Sequence, residues 1–129
     1  MEKFITKMIP ALREKVQKIP KPFRNDETCR QVLLCLLFTL LETEGYQPVP
    51  FYRPPRRPQG QVALLGLEKD GRMALALTID PLVTLEGVRS LEAAPAEKKI
   101  CITFSEHEKK LKDSTFFLPP AIIHIHLGA

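Results

Sequence analysis

"RRPQGQVALLGL", residues 56–67, and "RMALALTID", residues 72–80, lie on either side of a short segment that ends in Asp70-Gly71. Both are almost unbroken apolar runs with β-branched or aliphatic residues, too short for helices and bounded by turn formers. Continuous apolar character implies strands buried on both faces. Asp-Gly between two such runs is a two-residue hairpin signal, so 61–68 and 72–80 are predicted to pair antiparallel. The hairpin is therefore the centre of a sheet, and the flanking sequence must supply layers to cover it.

Upstream, VLLCLLFTLL, residues 32–41, is the strongest apolar run. Ten residues fall well short of the roughly 20 that cross a membrane, so no span is expected. Apolar all round, the run reads as a central helix enclosed by protein. Asn25 or Asp26 caps this helix, Gly45 stops it, and its bounds are 26–44. Further upstream, Phe4, Ile5, Met8, Ile9, Leu12 and Val16 recur at helical spacing, with Pro10 predicted to mark the start of that helix. Residues 19–26 read as a linker, giving an N-terminal helix and linker at 1–25 and one domain at 26–129. The charges and Pro10 in the first twenty residues exclude a signal peptide from this reading, and a cytoplasmic chain is expected.

YQPVPFY, 46–52, alternates weakly and carries two prolines, which confine it to a short edge strand. Downstream, Asp80 and Pro81 are the expected cap and first residue of a helix whose buried stripe is Leu82, Leu85, Val88 and Leu91. KKICITFS, 98–105, is a strand parallel to 72–80. EHEKKLKD, 106–113, reads as a solvated loop, and 115–127 as two short strands broken by Pro119-Pro120. The fold class is α/β (α+β), a mixed β-sheet with a long buried helix.

Composition excludes several function classes. Lysine and arginine number 19 against 15 acidic residues, a formal +4 that permits a polyanionic partner without requiring one. Cys29, Cys35 and Cys101 are odd in number and lack CxxC spacing, so buried thiols are expected, with no disulfide framework. No Gly-rich phosphate loop, HExxH or GxSxG is present. His124 and His126 alternate on a strand and project from one face about 7 Å apart. With His107 they would give three zinc ligands, but the spacing of a convincing third and fourth ligand is missing. No cofactor and no metal is expected.

The stretch LLETEGYQPVPFYRPPRRPQGQVALLGLEKDGRMALALTID, 40–80, resembles the restriction-endonuclease-like, or PD-(D/E)XK, nuclease superfamily. The likeness extends over residues 26 to about 105: a helix ending in Glu-x-x-Gly-Tyr, a three-strand meander, a helix and a strand. The resemblance implies an aspartate at the start of the second strand and Glu-x-Lys on the third, with the acids holding Mg²⁺ that activates water. Here the aspartate position falls on Gln59 (Gln61 if the register slips), glutamate on Ala76 and lysine on Thr78. None is ionic. The remaining acids Glu68, Asp70 and Asp80 lie at strand ends and turns, and Glu42 and Glu44 late in the helix offer one auxiliary carboxylate at most. A nuclease-like domain without catalytic residues is expected.

RPPRRP remains as the candidate interface. Arg53, Arg56 and Arg57 fit phosphates, and Phe51 and Tyr52 beside them fit exposed bases. The partner class is DNA or RNA bound weakly and non-specifically. The competing expectations are a solvated loop that protects an edge strand, a Pro-rich ligand, or a homodimer with no nucleic-acid role.

Overall fold

The computed structural model describes residues 1–55 and 60–128. The chain runs α1 (Glu2–Gln17), a 3₁₀ turn (Lys21–Phe23), α2 (Asp26–Thr43), β1 (Gln47–Tyr52), β2 (Val62–Leu67), β3 (Met73–Asp80), α3 (Leu85–Ala93), β4 (Lys98–Thr103), α4 (Glu108–Ser114), a second 3₁₀ turn (Thr115–Phe117) and β5 (Ile123–His126). One sheet holds the strands in order β1-β2-β3-β4-β5. The first three form an antiparallel meander, whereas β4 and β5 join parallel. The mixed sheet and its long helix are those expected, and 72–80 does run parallel beside 99–105.

The hairpin obeys its glycine. Gly71 adopts φ +88, a conformation that costs a residue without Cβ little. Its N–H donates to the Glu68 carbonyl at 2.9 Å, and Glu68 N–H donates to the Arg72 carbonyl at 2.8 Å. The loop is thus three residues, 69–71, rather than two, with Asp70 Oδ1 accepting from Arg72 N–H to hold the turn.

Alternation along β3 divides the interior. Leu75, Leu77 and Ile79 face α1 and α2, joined by Leu33, Leu37 and Leu41 of α2 and by Ile100, Ile102 and Ile125. Ala76 and Cys101 face the other way, toward Val88 and Leu91 of α3. α1 contributes Phe4, Met8 and Leu12 to the first of these clusters.

Several local expectations fail for identifiable reasons. Pro10 lies inside α1 rather than at its start. It is on the exposed side, where the carbonyl it leaves unpaired meets water, while Phe4, Met8 and Leu12 anchor the helix on both sides of it. α2 is not enclosed all round: Gln31, Cys35 and Thr39 form an open stripe, so Cys35 is an exposed thiol and only Cys29 and Cys101 are buried. Asp80 stays in β3 and does not cap α3. Thr84 is the cap, its Oγ1 accepting from Gly87 N–H at 3.0 Å, which leaves Leu82 outside the helix and Leu85 exposed. The solvated "loop" at 106–113 contains α4, pinned by Ser114, whose Oγ donates to Leu111 O and accepts from Val83 N–H. Residues 115–127 form a 3₁₀ turn and one strand, not two strands.

Candidate functional site

At one end of the sheet the last residues of β3, the entry to β2, the end of β1 and the first turns of α2 surround a cavity of about 180 Å³. Its lining includes Glu27, Arg30, Gln31 and Leu34 from α2, Phe51 from β1, and Gln61, Ala63, Thr78, Ile79 and Asp80 from the central hairpin. Asn25 fixes the helix end here by accepting from Thr28 N–H at 2.9 Å.

Arg30 organises the polar side of this cavity. Its Nη1 lies 3.0 Å from Glu27 Oε2 and its Nη2 3.4 Å from Asp80 Oδ1, while Nε donates to the Ile79 carbonyl at 3.2 Å. One guanidinium thus engages both carboxylates that line the cavity. Burial pushes the Asp80 carboxyl above its ordinary value, and Arg30 pulls it part of the way back.

Two of the positions that the resemblance assigns to charge, Ala76 and Thr78, are uncharged and packed. Ala76 is fully buried and Thr78 nearly so. α3 closes over them: a Cβ at Gly87 would come within 3.8 Å of both Thr78 and Asp80 side chains. Gln59 lies outside the described residues, as do Arg56 and Arg57. Gln61, its alternative, is exposed on the cavity rim. The observed register pairs Leu65 with Ala76 and Leu64 with Leu77. Ala63 lines the cavity from the side of the α1/α2 cluster and offers only a methyl. Among the described residues no three His, Cys, Asp or Glu side chains gather to hold a metal. The residues present do not fit a divalent ion that demands anionic oxygens.

The proposed stacking pair is split between the two sides of the sheet. Phe51 is exposed on the cavity side with φ +58, a left-handed conformation that costs an L-residue about 1–3 kcal/mol. Tyr52 is half-buried against the α3 cluster. Arg53 is exposed.

A second polar feature was only partly legible. On the α3 side, the parallel register aligns Thr78, Cys101 and His124 in one row and Asp80, Thr103 and His126 in the next. Thr103 Oγ1 lies 2.8 Å from His124 Nε2 and 2.9 Å from His126 Nδ1, with the imidazole centroids 6.3 Å apart. The two histidines do share a face of an edge strand, but the partner they converge on is a fully buried threonine. Burial pushes the Cys101 thiol up to about 11, so it stays protonated and is no nucleophile.

The chain is similar to two solved structures. A repair endonuclease from Pyrococcus abyssi matches 77% of this chain and 46% of its own length, at 17% identity and a TM-score of 0.42. EndoMS, in a structure of an EndoMS-dsDNA2 complex, matches 73% of this chain and 42% of its own, at 17% identity and a TM-score of 0.31. This chain therefore spans less than half the length of either. No protein-family model matches it, and no curated protein does.

Proposed function

We propose that this chain is a nuclease-like module without hydrolytic chemistry, which contacts nucleic acid weakly and without sequence preference through residues 51–57. The observation that carries the loss of hydrolysis is the Arg30 bridge. The two carboxylates that line the cavity, Glu27 and Asp80, are both engaged by the Arg30 guanidinium. Ala63, Ala76 and Thr78 supply no anionic ligand beside them.

For binding, Arg53, Arg56 and Arg57 follow directly on β1 in a segment stiffened by Pro54, Pro55 and Pro58, so little entropy is lost in ordering them against phosphates. Phe51 offers an exposed ring next to them, whereas the half-buried Tyr52 serves chiefly as its anchor in the sheet. Three phosphate contacts on duplex DNA correspond to a slope of about −2.7 in log affinity against log salt, with micromolar or weaker affinity at physiological salt.

The test is fluorescence anisotropy with single- and double-stranded oligonucleotides, on wild type and an Arg53→Ala/Arg56→Ala/Arg57→Ala variant, with cleavage assayed in Mg²⁺ and Mn²⁺. Salt-sensitive binding that the triple variant loses, without cleavage, is expected. Equal binding by the variant removes the arginine segment from the interface. Chelator-sensitive cleavage lost in Asp80→Ala overturns the non-hydrolytic assignment. A stable homodimer that binds no oligonucleotide makes the chain an interaction protein.

A further inference from the structure

Residues 32–41 of α2 contain no charged side chain, yet the fold leaves one side of this segment open. A helix apolar all round is ordinarily buried all round. Here Leu33, Leu37 and Leu41 enter the core, whereas Gln31, Cys35 and Thr39 are exposed and Val32, Leu36 and Phe38 beside them are only half-buried. An open groove of about 470 Å³ between α1 and α2 runs along this side, lined by Lys15, Gln31, Val32, Cys35, Leu36 and Thr39.

Charges stand at the two ends of this uncharged stripe, and their signs are opposite. α1 runs back along α2, with Lys7 at Glu44 and Val16 sharing a wall with Cys29, which sets Lys15 on the groove toward the start of α2. Glu42, seven positions after Cys35, falls on the same line of α2 toward its end and is exposed. Among the described residues neither Lys15 nor Glu42 forms an ion pair, whereas Lys7 pairs with Glu44 and Lys18 with Glu14. Glu27, the acid nearest the Lys15 end, is held by Arg30 and Gln31.

We infer that this stripe is the interface of a homodimer, in which α2 packs antiparallel on α2 of a second copy about a two-fold axis at Cys35. A two-fold interface is self-complementary, so what one copy offers at one end it must accept at the other. An axis at Cys35 sets Glu42 of each copy opposite Thr28 of the other, one turn from the level of Lys15, and the two unpaired charges then meet twice. A parallel pairing would instead set Glu42 against Glu42 and Lys15 against Lys15. The uncharged middle offers nothing to a phosphate backbone, and the acids Asp26, Glu27, Glu42 and Glu44 at the helix ends outnumber Arg30 and repel an anionic bilayer. The inference does not rest on the function proposed above, because a dimer is expected whether or not an oligonucleotide binds.

Sedimentation velocity over a concentration series is expected to show monomer passing into dimer. Cys29 and Cys101 are buried, so a short bis-maleimide should join two chains through Cys35 alone, and Cys35→Ser should stay unjoined. Cys35→Arg sets two guanidiniums together at the axis and should give a monomer with an unchanged far-UV spectrum, since the site is exposed. Lys15→Glu and Glu42→Lys should each weaken dimerisation about tenfold by placing like charges together, and the doubly reversed variant should regain the wild-type value. A chain that stays monomeric up to about 100 μM overturns the inference. So does a dimer that persists in Cys35→Arg, or a doubly reversed variant as weak as either single one. A monomer whose Cys35 is shielded from maleimide by phosphatidylserine vesicles or by an oligonucleotide also overturns it and gives the face to that ligand.

Discussion

The two faces of the sheet are built from different materials. Under α1 and α2, β3 and β4 present Leu75, Leu77, Ile79, Ile100 and Ile102, large branched side chains that interlock with the leucines of α2. Under α3 the same strands present Ala76, Thr78, Cys101 and Thr103. The first face is a packing solution that many sequences would satisfy. The second is small and polar toward the ends of the parallel strands, and it includes the places where the resemblance expects glutamate and lysine. On that face α3 lies close over the short side chains of Ala76 and Thr78.

The largest expected effect is on the first face. Leu77 is fully buried among α2 leucines, so Leu77→Ala should destabilise by roughly 3–5 kcal/mol, combining lost transfer energy with a residual cavity. Denaturant unfolding measures it, and a loss under about 1 kcal/mol would mean that the two faces pack equally loosely.

On the second face the damage comes from insertion rather than deletion. Ala76→Glu would place a carboxylate in a fully buried position under Val88 and Leu91, at an expected cost of about 2–4 kcal/mol. An unchanged midpoint would show the α3 face to be wet at position 76, and with it the basis for a closed site would go.

Arg30→Ala tests the seam between the faces. It removes the donor to Ile79 O and uncovers Asp80; because the pair is about a third exposed, the expected loss is only about 1–2 kcal/mol. The pH profile is the sharper readout. Asp80 titrates above its ordinary value in the folded protein, so its contribution is fully present at low pH and is lost as pH rises through the folded value. Without Arg30 the carboxyl should rise further and that loss should grow. Parallel pH profiles of wild type and variant would show that Arg30 does not face Asp80 in solution.

How much of this was legible follows from how local each signal is. Gly71 for the turn, Asn25 or Asp26 for the α2 cap and the apolar run of β3 act within a few residues; the turn and strand lie where the sequence places them, with a loop of three residues and Asn25 as the cap. Thr84 displaced Asp80 as the α3 cap because Asp80 is held by Arg30, a partner 50 positions away that no local pattern announces. α4 went unseen because its only apolar anchor is Leu111 and its decisive contact, Ser114 to Val83, is tertiary. At the site, the chemistry of Ala76 and Thr78 was readable from the resemblance, whereas the Arg30 contacts to Glu27, Asp80 and the Ile79 carbonyl needed the fold. Phe51 and Tyr52 point to different sides of the sheet through a left-handed backbone at Phe51 that no local pattern announces.

The smallest effect expected is at the far edge of the polar face. Thr103 Oγ1 has one hydrogen, so it can donate to one imidazole nitrogen and accept from the other, which satisfies a pair of neutral histidines. Burial lowers the His124 pKa below its ordinary 6.5, and the neighbouring His126 lowers it further. Burial lowers His126 as well, with Arg13 adding to the shift and a hydrogen bond to the Thr103 backbone and Glu108 opposing it. In the unfolded chain both rings bind protons more readily than in the folded one. Their contribution to stability is therefore full above the unfolded value and is lost as pH falls from about 6.5 through the folded values. The melting temperature should drop on acidification between about pH 7 and pH 5, ahead of most carboxylate titration. His124→Asn/His126→Asn should flatten that part of the profile while leaving the acid limb below it. If the double variant retains the full slope, the two histidines are solvated in the folded protein and the Thr103 bridge does not form.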